Sequence, residues 1–274
     1  MTIERIHVGT SGWHYDHWKG PFYPEDLAKN DYIHFYSGFF PTLEINHSFY
    51  QLPSGSLLTK LRSEVPDSFV FSVKANRYIT YIKKLKDARL SLAPFLKRMD
   101  MLGEKLGPIL FQLPPQWSFN RERLETFLNA LPSGYRYAFE FRDAGWFNSD
   151  TYEMLSAHNA ALSIYQVGSR TSPQIITADF VYIRLQGARS SGEYDPEILS
   201  EWAETLADLA GKGEEIFCYF DGDESVCAAR EAEKLKKMIA SRLKIRRQLV
   251  NKPGAVQSKA VSKKLNLQSA GIPL

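Results

Sequence analysis

Short runs rich in Val, Ile, Phe and Tyr alternate along the chain with longer segments whose apolar residues recur every three to four positions. Eight runs read as strands: 6–10, 42–46, 69–74, 109–113, 137–141, 161–165, 181–185 and 216–220. Short, nearly continuous apolar runs are characteristic of parallel strands covered on both faces. The intervening segments carry helix start signals. Ser54 precedes 55–65, Asn120 precedes 121–131, and Ser149 precedes 150–159. Asp195 with Pro196 opens 197–210, which Gly211 closes. A last helix is expected over about 225–243, with Val226, Ala229, Leu235, Met238 and Ile239 on its apolar stripe. Segment 87–102 is expected to be helical, and its sequence leaves open a role as a lid.

Eight strands alternating with helices predict an α/β fold, a single (β/α)8 TIM-barrel-like parallel barrel. The rival is a doubly wound open sheet. It prefers a glycine-rich phosphate loop after the first strand, and Gly9-Thr-Ser-Gly12 followed by Trp13 does not match one. The barrel domain is expected over residues 1–243. A basic, flexible tail is expected over 244–274, where helical periodicity gives way to a Ser/Lys/Gln-rich stretch.

The parity within each strand is more informative than the strand count. Alternate residues of a barrel strand face the interior or the helices. One parity is apolar throughout, for example Val8, Leu43, Ile45, Phe71, Val73, Phe139 and Ile183. The other turns polar toward the C-terminal strand ends. It supplies Ser11, Glu44, Asn46, Ser72, Lys74, Gln112, Glu140, Arg142, Tyr165, Tyr182, Arg184, Gln186, Tyr219 and Asp221. Inward charges there are costly unless they pair or hold a ligand, and this is the face on which barrel enzymes place their chemistry.

Composition adjusts this picture in three ways. At 44% hydrophobic residues the chain is too apolar to be disordered. No apolar run approaches the roughly 18 residues of a membrane span, and the first residues lack a signal-peptide pattern. With Cys218 and Cys227 as its two cysteines, a reduced, cytoplasmic location is expected. The formal net charge of +3 is uneven. Residues 241–274 hold eight basic side chains and no acidic one, leaving 26 basic against 31 acidic residues before them. Nucleic-acid binding is therefore a reading for the tail alone, set against a solvated end.

The stretches Gly9-Thr-Ser-Gly-Trp13, Trp18-Lys-Gly-Pro-Phe-Tyr-Pro24, Glu44-Ile-Asn46, Ile79-Thr80, Phe111-Gln-Leu-Pro-Pro115, Glu140-Phe-Arg142 and Tyr182-Ile-Arg-Leu185 occur in order over roughly 7–240. Together they resemble the domain-of-unknown-function 72 family, also called YecE-like. The resemblance implies a TIM barrel and no settled activity. The chain departs from the family pattern at Tyr81, where the family has His, and at Gln186, where it has a His-Gly pair. Gln166 stands where Asp is common, and Asp221-Gly-Asp223 replaces an asparagine-rich segment.

Two readings of the site follow: an enzyme, or a ligand-binding barrel that has lost its reactive groups. For the enzyme, Glu44 and Glu140 are the expected general acid and base. Lys74 is a base or Schiff-base nucleophile if desolvated. Lys74, Arg142 and Arg184 are expected to hold an anionic group, with Asn46, Gln112, Tyr219 and Asp221 orienting it and Trp13 among the aromatic residues walling the pocket. The expected ligand is a small anionic or polyol molecule. Glycoside hydrolysis is not favoured, because strands four and seven carry Gln112 and Gln186 where the common barrel glycosidases carry carboxylates. A cofactor is not identifiable. A divalent metal on His14, His17, Glu44 and His47 is considered and not favoured, since no recognised ligand spacing is present. His7 is expected to be a satisfied interior histidine. The oligomeric state is not encoded in any legible pattern.

Overall fold

The strand runs pair almost entirely in parallel. In the computed structural model, which describes residues 5–187, 193–222 and 226–250, there are ten strands. They are β1 (Ile6–Thr10), β2 (Thr42–Ile45), β3 (Val70–Lys74), β4 (Leu106–Gln112), β5 (Tyr137–Glu140), β6 (Ala161–Leu162), β7 (Ile164–Val167), β8 (Arg170–Thr171), β9 (Phe180–Gln186) and β10 (Glu215–Phe220). One sheet has the order β1-β10-β9-β7-β8 and the other β2-β3-β4-β5-β6. Among the described residues only β7 and β8 pair antiparallel.

Two features were not expected from the apolar pattern. The sixth run is split at Ser163, so that β6 pairs with β5 and β7 with β9. The chain thereby passes from one sheet to the other within a single residue. After β7 it doubles back into β8 through Gly168 and Ser169, with Val167 opposite Arg170. Gly168 takes φ of +57°, which this two-residue turn requires and glycine adopts without a steric penalty.

Among the described residues seven α-helices cover the strands: α1 (Tyr32–Ser37), α2 (Gly55–Ser63), α3 (Ala88–Met99), α4 (Arg121–Asn129), α5 (Ser149–Ala157), α6 (Pro196–Gly211) and α7 (Cys227–Val250). Their caps follow the side-chain chemistry. Ser54 and Asn120 accept from the amides of Leu57 and Arg123, and Asp195 accepts from Glu197 ahead of Pro196. The cap of α5 is Asn148, one residue before the expected Ser149. Segment 87–102 is not a lid. Leu92, Phe95, Leu96 and Met99 of α3 are buried in the main core. The last helix runs on to Val250, past the expected end near 243. Arg242 and Arg246 there pair with Glu204 of α6, and Arg246 also with Asp208. Residues 251–274, and with them most of the expected tail, lie outside the described residues.

The two parities separate into two packed layers. The apolar set, including Val8, Leu43, Phe71, Phe111, Phe139, Ile183 and Cys218, packs against the helices. The other parity forms a smaller cluster between the two sheets: Leu110, Ala138, Ala161, Phe180, Tyr182, Phe217 and Tyr219. His7 stacks on Phe217 at 4.6 Å and bonds Glu215 at 3.1 Å, so it is a satisfied interior histidine.

The sheets also touch at β1 and β2. Ser11 and Glu44 form a parallel bridge, and the Gly12 amide donates to the Glu44 carbonyl at 2.9 Å. Tyr36 of α1 lies between the two strands. Its hydroxyl accepts from the Thr10 amide and donates to the Thr42 carbonyl. Gly9 allows this approach, because a Cβ there would lie 2.2 Å from the Thr42 oxygen. No helix among the described residues is long and apolar enough to cross a membrane.

Candidate functional site

The interior between the sheets rises from apolar to polar along the strands. Above the apolar cluster comes a layer of hydroxyls. Tyr219 donates to Ser72 at 2.7 Å and lies 2.7 Å from the Thr42 hydroxyl, with all three groups buried. Burial raises the Tyr219 pKa, so the phenol stays protonated. This layer satisfies its own donors and acceptors. Tyr219, expected to orient substrate, is therefore an internal strut.

The charged layer comes next, at the C-terminal strand ends. Arg184 of β9 stands at its centre, 2% exposed. Its Nε and Nη2 donate to the two oxygens of Glu44 at 3.1 and 3.0 Å. Its Nη1 donates to Glu140 at 3.2 Å, and its Nη2 lies 2.9 Å from Asp221. Burial opposes the guanidinium charge, but Asp221, Glu44 and Glu140 outweigh it and raise the Arg184 pKa well above its usual value. Glu44 also accepts from Ser11 at 2.5 Å and Tyr182 at 2.6 Å. Glu140 accepts from Gln112 at 2.6 Å and from Arg142 Nε at 2.6 Å. Burial alone would raise the Glu140 pKa, but Arg184, Arg142, Gln112 and Lys74 bring it down to about 2. Such a carboxylate keeps its charge at neutral pH and has no proton to deliver there.

Lys74 differs from these groups. It ends β3, opposite Leu110 of β4, and the residue is 7% exposed. Its ammonium makes no hydrogen bond or ion pair with any described residue, and lies 4.4 Å from the centre of the Phe49 ring. Burial and Arg184 outweigh the pull of Glu44, Asp221 and Glu140 and bring the Lys74 pKa down to about 8. A lysine whose pKa is brought down to about 8 and that has no partner among the described residues suits a base or nucleophile better than a structural cation.

A cavity of about 1000 Å³ adjoins this layer. Gln112, Arg142, Tyr81 and Tyr165 line one side, and Gly168, Ser169, Arg170, Thr171 and Ser172 of the β7–β8 turn line another. Among the described residues, Arg142 and Arg170 are the charged residues of this lining, and no carboxylate belongs to it. Arg142 lies 4.4 Å over the Tyr165 ring. Tyr81 meets the edge of Phe49 at 5.1 Å, so Tyr81 and Lys74 share that ring. Arg170 and its turn were missed in the strand reading, although Gly168-Ser169 between two β-prone pairs is a short hairpin signal.

Trp13 and Asn46 are separated from Arg142 and Gln112. They line a second cavity of about 400 Å³ with His14, Tyr15, His47 and Tyr50 over Ile45, Leu57 and Leu61. The buried Asn46 Oδ1 has no partner there. His14 packs on Tyr32 and His17 on Tyr15, and no group of three His, Cys, Asp or Glu residues among the described residues is arranged to hold a metal ion. Of the departures from the family pattern, Tyr81 lines the large cavity and Asp221 pairs with Arg184. Gln166 points away to α6, where it accepts from the Trp202 indole, and Asp223 lies outside the described residues. Most of the loop aromatics pack. Trp18, Tyr23, Phe49 and Trp146 are buried, and Trp146 stacks on Phe141 at 4.7 Å.

The family model described as "Protein of unknown function DUF72" matches residues 7–255. The UPF0759 protein YunF of Bacillus subtilis (strain 168) is 25% identical, over 85% of this chain and 94% of its own. Among solved structures, a DUF72 family protein of Thermotoga maritima MSB8 superposes with a TM-score of 0.76 at 26% identity, covering 86% of this chain and 99% of that one. A DUF72 family protein of Enterococcus faecalis V583 gives 0.68 at 17% identity, covering 86% and 97%.

Proposed function

The chain belongs to the DUF72 family, and on that footing we propose that it is an enzyme of small anionic molecules, with Lys74 as its reacting group. The two sheets act in this reading as one closed (β/α)8 barrel. The Ser11–Glu44 bridge, the single-residue passage at Ser163 and the contacts of Tyr219 with Thr42 and Ser72 support closure. The site then lies at the C-terminal strand ends, where barrel enzymes place their chemistry.

The observation that carries the proposal is the large cavity with Arg142 and Arg170 as its charged lining among the described residues, joined through Gln112 and Arg142 to the charged layer in which Lys74 makes no ion pair with any described residue. A carboxylate or phosphate entering it meets two guanidinium groups, of which Arg142 is already paired with Glu140 beneath the cavity. Glu44 and Glu140, expected as acid and base, have a different role here. Each is held by several donors, and together they fix Arg184, orient Arg142 and keep the floor of the site rigid. Lys74 is left as the group able to exchange a proton near neutral pH.

Thermal-shift measurement with a panel of small carboxylates, sugar phosphates and neutral polyols tests the reading. Carboxylates or phosphates should raise the melting temperature of the wild type, and Arg142→Gln with Arg170→Gln should remove that rise. Stabilisation by neutral polyols alone, or an unchanged response in the double variant, would refute it.

A further inference from the structure

We propose that the cavity between the loops after β1 and β2 is a second binding site, for a flat, uncharged nitrogen heterocycle of purine size that pairs by its edge with the Asn46 amide and lies against Trp13 and Tyr50. The site is separate from the large cavity and independent of the anion reading above. Its walls, its polarity and one orphaned polar atom point to this ligand.

The walls are held in place by the protein itself. The Gly12 amide donates to the Glu44 carbonyl at 2.9 Å, which ties the end of β1 to β2. The Tyr23 hydroxyl donates to the Trp13 carbonyl at 2.7 Å, and the Tyr15 hydroxyl to the Ser11 carbonyl at 3.0 Å. On the other side the buried Ser48 hydroxyl bonds the carbonyls of Ile45 and Lys74 at 2.9 and 2.6 Å, fixing the turn that carries Asn46 and His47. A cavity of about 400 Å³ with walls already set is of the size that small ligands occupy.

Its polarity differs from that of the large cavity. Ile45, Pro53, Leu57 and Leu61 supply apolar lining, and the polar side chains are Asn46, His14, His47 and two tyrosines. Among the described residues the lining contains no Asp, Glu, Lys or Arg. Tyr50 and Leu57 are 68% and 39% exposed, and because both line this cavity they form one apolar surface that a ligand can cover. An anion finds no lysine or arginine here. A sugar would turn hydroxyls toward Ile45 and Leu61 without partners. A ring with apolar faces and a polar edge leaves no such group unpaired.

The orphaned atom is Asn46 Oδ1, which is buried and accepts no hydrogen bond. Such an acceptor costs about 1–3 kcal/mol until a donor reaches it. Asn46 lines the cavity, and a turn about its last side-chain bond, a torsion with broad minima, brings the oxygen toward a ligand. The amide nitrogen beside it is a donor in the same plane. This amide matches a ring edge that carries an N–H next to an acceptor, as the 6-amino group and N7 of adenine do. Trp13 and Tyr50 supply the faces on which the ring stacks.

Isothermal titration calorimetry of the full-length protein with adenine, theophylline, caffeine and glucose tests the assignment. Theophylline has an N–H beside a carbonyl on its edge, and caffeine carries a methyl group on that nitrogen. Adenine and theophylline should bind with Kd below about 1 mM, and caffeine about tenfold more weakly than theophylline. Asn46→Leu, which keeps the side-chain size, should bring theophylline down to the caffeine level. Tyr50→Ala alters an exposed residue, so the melting temperature should stay within about 2 °C of the wild type. Binding of both adenine and theophylline by this variant should fall about tenfold. The absence of binding heat with adenine and theophylline up to about 10 mM would overturn the site. So would unchanged binding in Tyr50→Ala, or tighter binding of glucose than of either purine. Equal wild-type affinities for theophylline and caffeine, or an Asn46→Leu variant that still tells them apart, would overturn the pairing with Asn46. Displacement of adenine by inorganic phosphate would place the ring in the large cavity and overturn the assignment.

Discussion

Replacing Arg184 with methionine should destabilise the protein strongly, and more at neutral than at acidic pH. The guanidinium donates to Glu44 at 3.1 and 3.0 Å and to Glu140 at 3.2 Å, and pairs with Asp221 at 2.9 Å. Methionine fills much of the volume and removes every one of these contacts. Glu140 would retain Arg142 and Gln112, but Glu44 would retain only Ser11 and Tyr182, both neutral. Removing one partner of a buried ion pair costs about 3–5 kcal/mol. At about 2–4 °C per kcal/mol for a chain of this size, the melting temperature should fall by roughly 6–20 °C.

The sign of the pH dependence follows from the carboxyls. In the wild type the folded Glu140 pKa is about 2, below its unfolded value. Its contribution is complete above the unfolded value and is lost as pH falls toward 2. Without Arg184, the burial of Glu140 is less opposed and its carboxyl moves up. A carboxyl raised in the folded state costs stability at neutral pH and recovers it on acidification. Thermal melts followed by circular dichroism at pH about 7.5 and about 5 should therefore show a larger deficit at the higher pH. A deficit below about 2 °C, or one independent of pH, would show that the carboxylates do not depend on Arg184.

Other substitutions probe separate parts of the account. Lys74→Met should stabilise the protein by about 1–3 kcal/mol at neutral pH while abolishing anion-dependent chemistry. The gain should shrink as pH rises from about 8 toward the unfolded lysine value, because the folded wild type loses its proton first; chemical denaturation at two pH values measures both. Tyr219→Phe removes a buried hydroxyl with two partners and should cost about 1–2 kcal/mol in the same assay. It should leave anion binding intact, and a loss of binding would return Tyr219 to the site. Gly9→Ala drives a Cβ to 2.2 Å from the Thr42 carbonyl where the two sheets meet, and should cost about 1–3 kcal/mol or more or prevent folding, as read by far-ultraviolet circular dichroism.

Much of this fold was legible because strand parity is a strict rule. The residues that alternate with Val8, Leu43 and Ile183 are those that meet between the sheets, and Glu44, Lys74, Gln112, Glu140, Arg184 and Asp221 do converge at the strand ends. Parity gives a direction and not a partner. It could not show that Arg184 takes up three carboxylates while, among the described residues, Lys74 takes none, since a strand direction does not say which side chains meet. Nor could it rank depth along a strand, so Tyr219, two residues before Asp221, looked equally able to reach a ligand. Asn46 and Trp13 follow the right strands, but the turns after them lead into a separate cavity. The β7–β8 hairpin escaped notice because β8 is two residues long and Arg170 belongs to no apolar run.

The most direct test of the central claim is the titration of Lys74 itself. The Cε resonance of 13C-lysine, assigned with Lys74→Arg, should show one lysine with a midpoint near 8, moving upward when a small carboxylate is added. A Lys74 midpoint at about 10.4, indifferent to carboxylate, would mean that the amine is an ordinary solvated cation and that the site is not built around it.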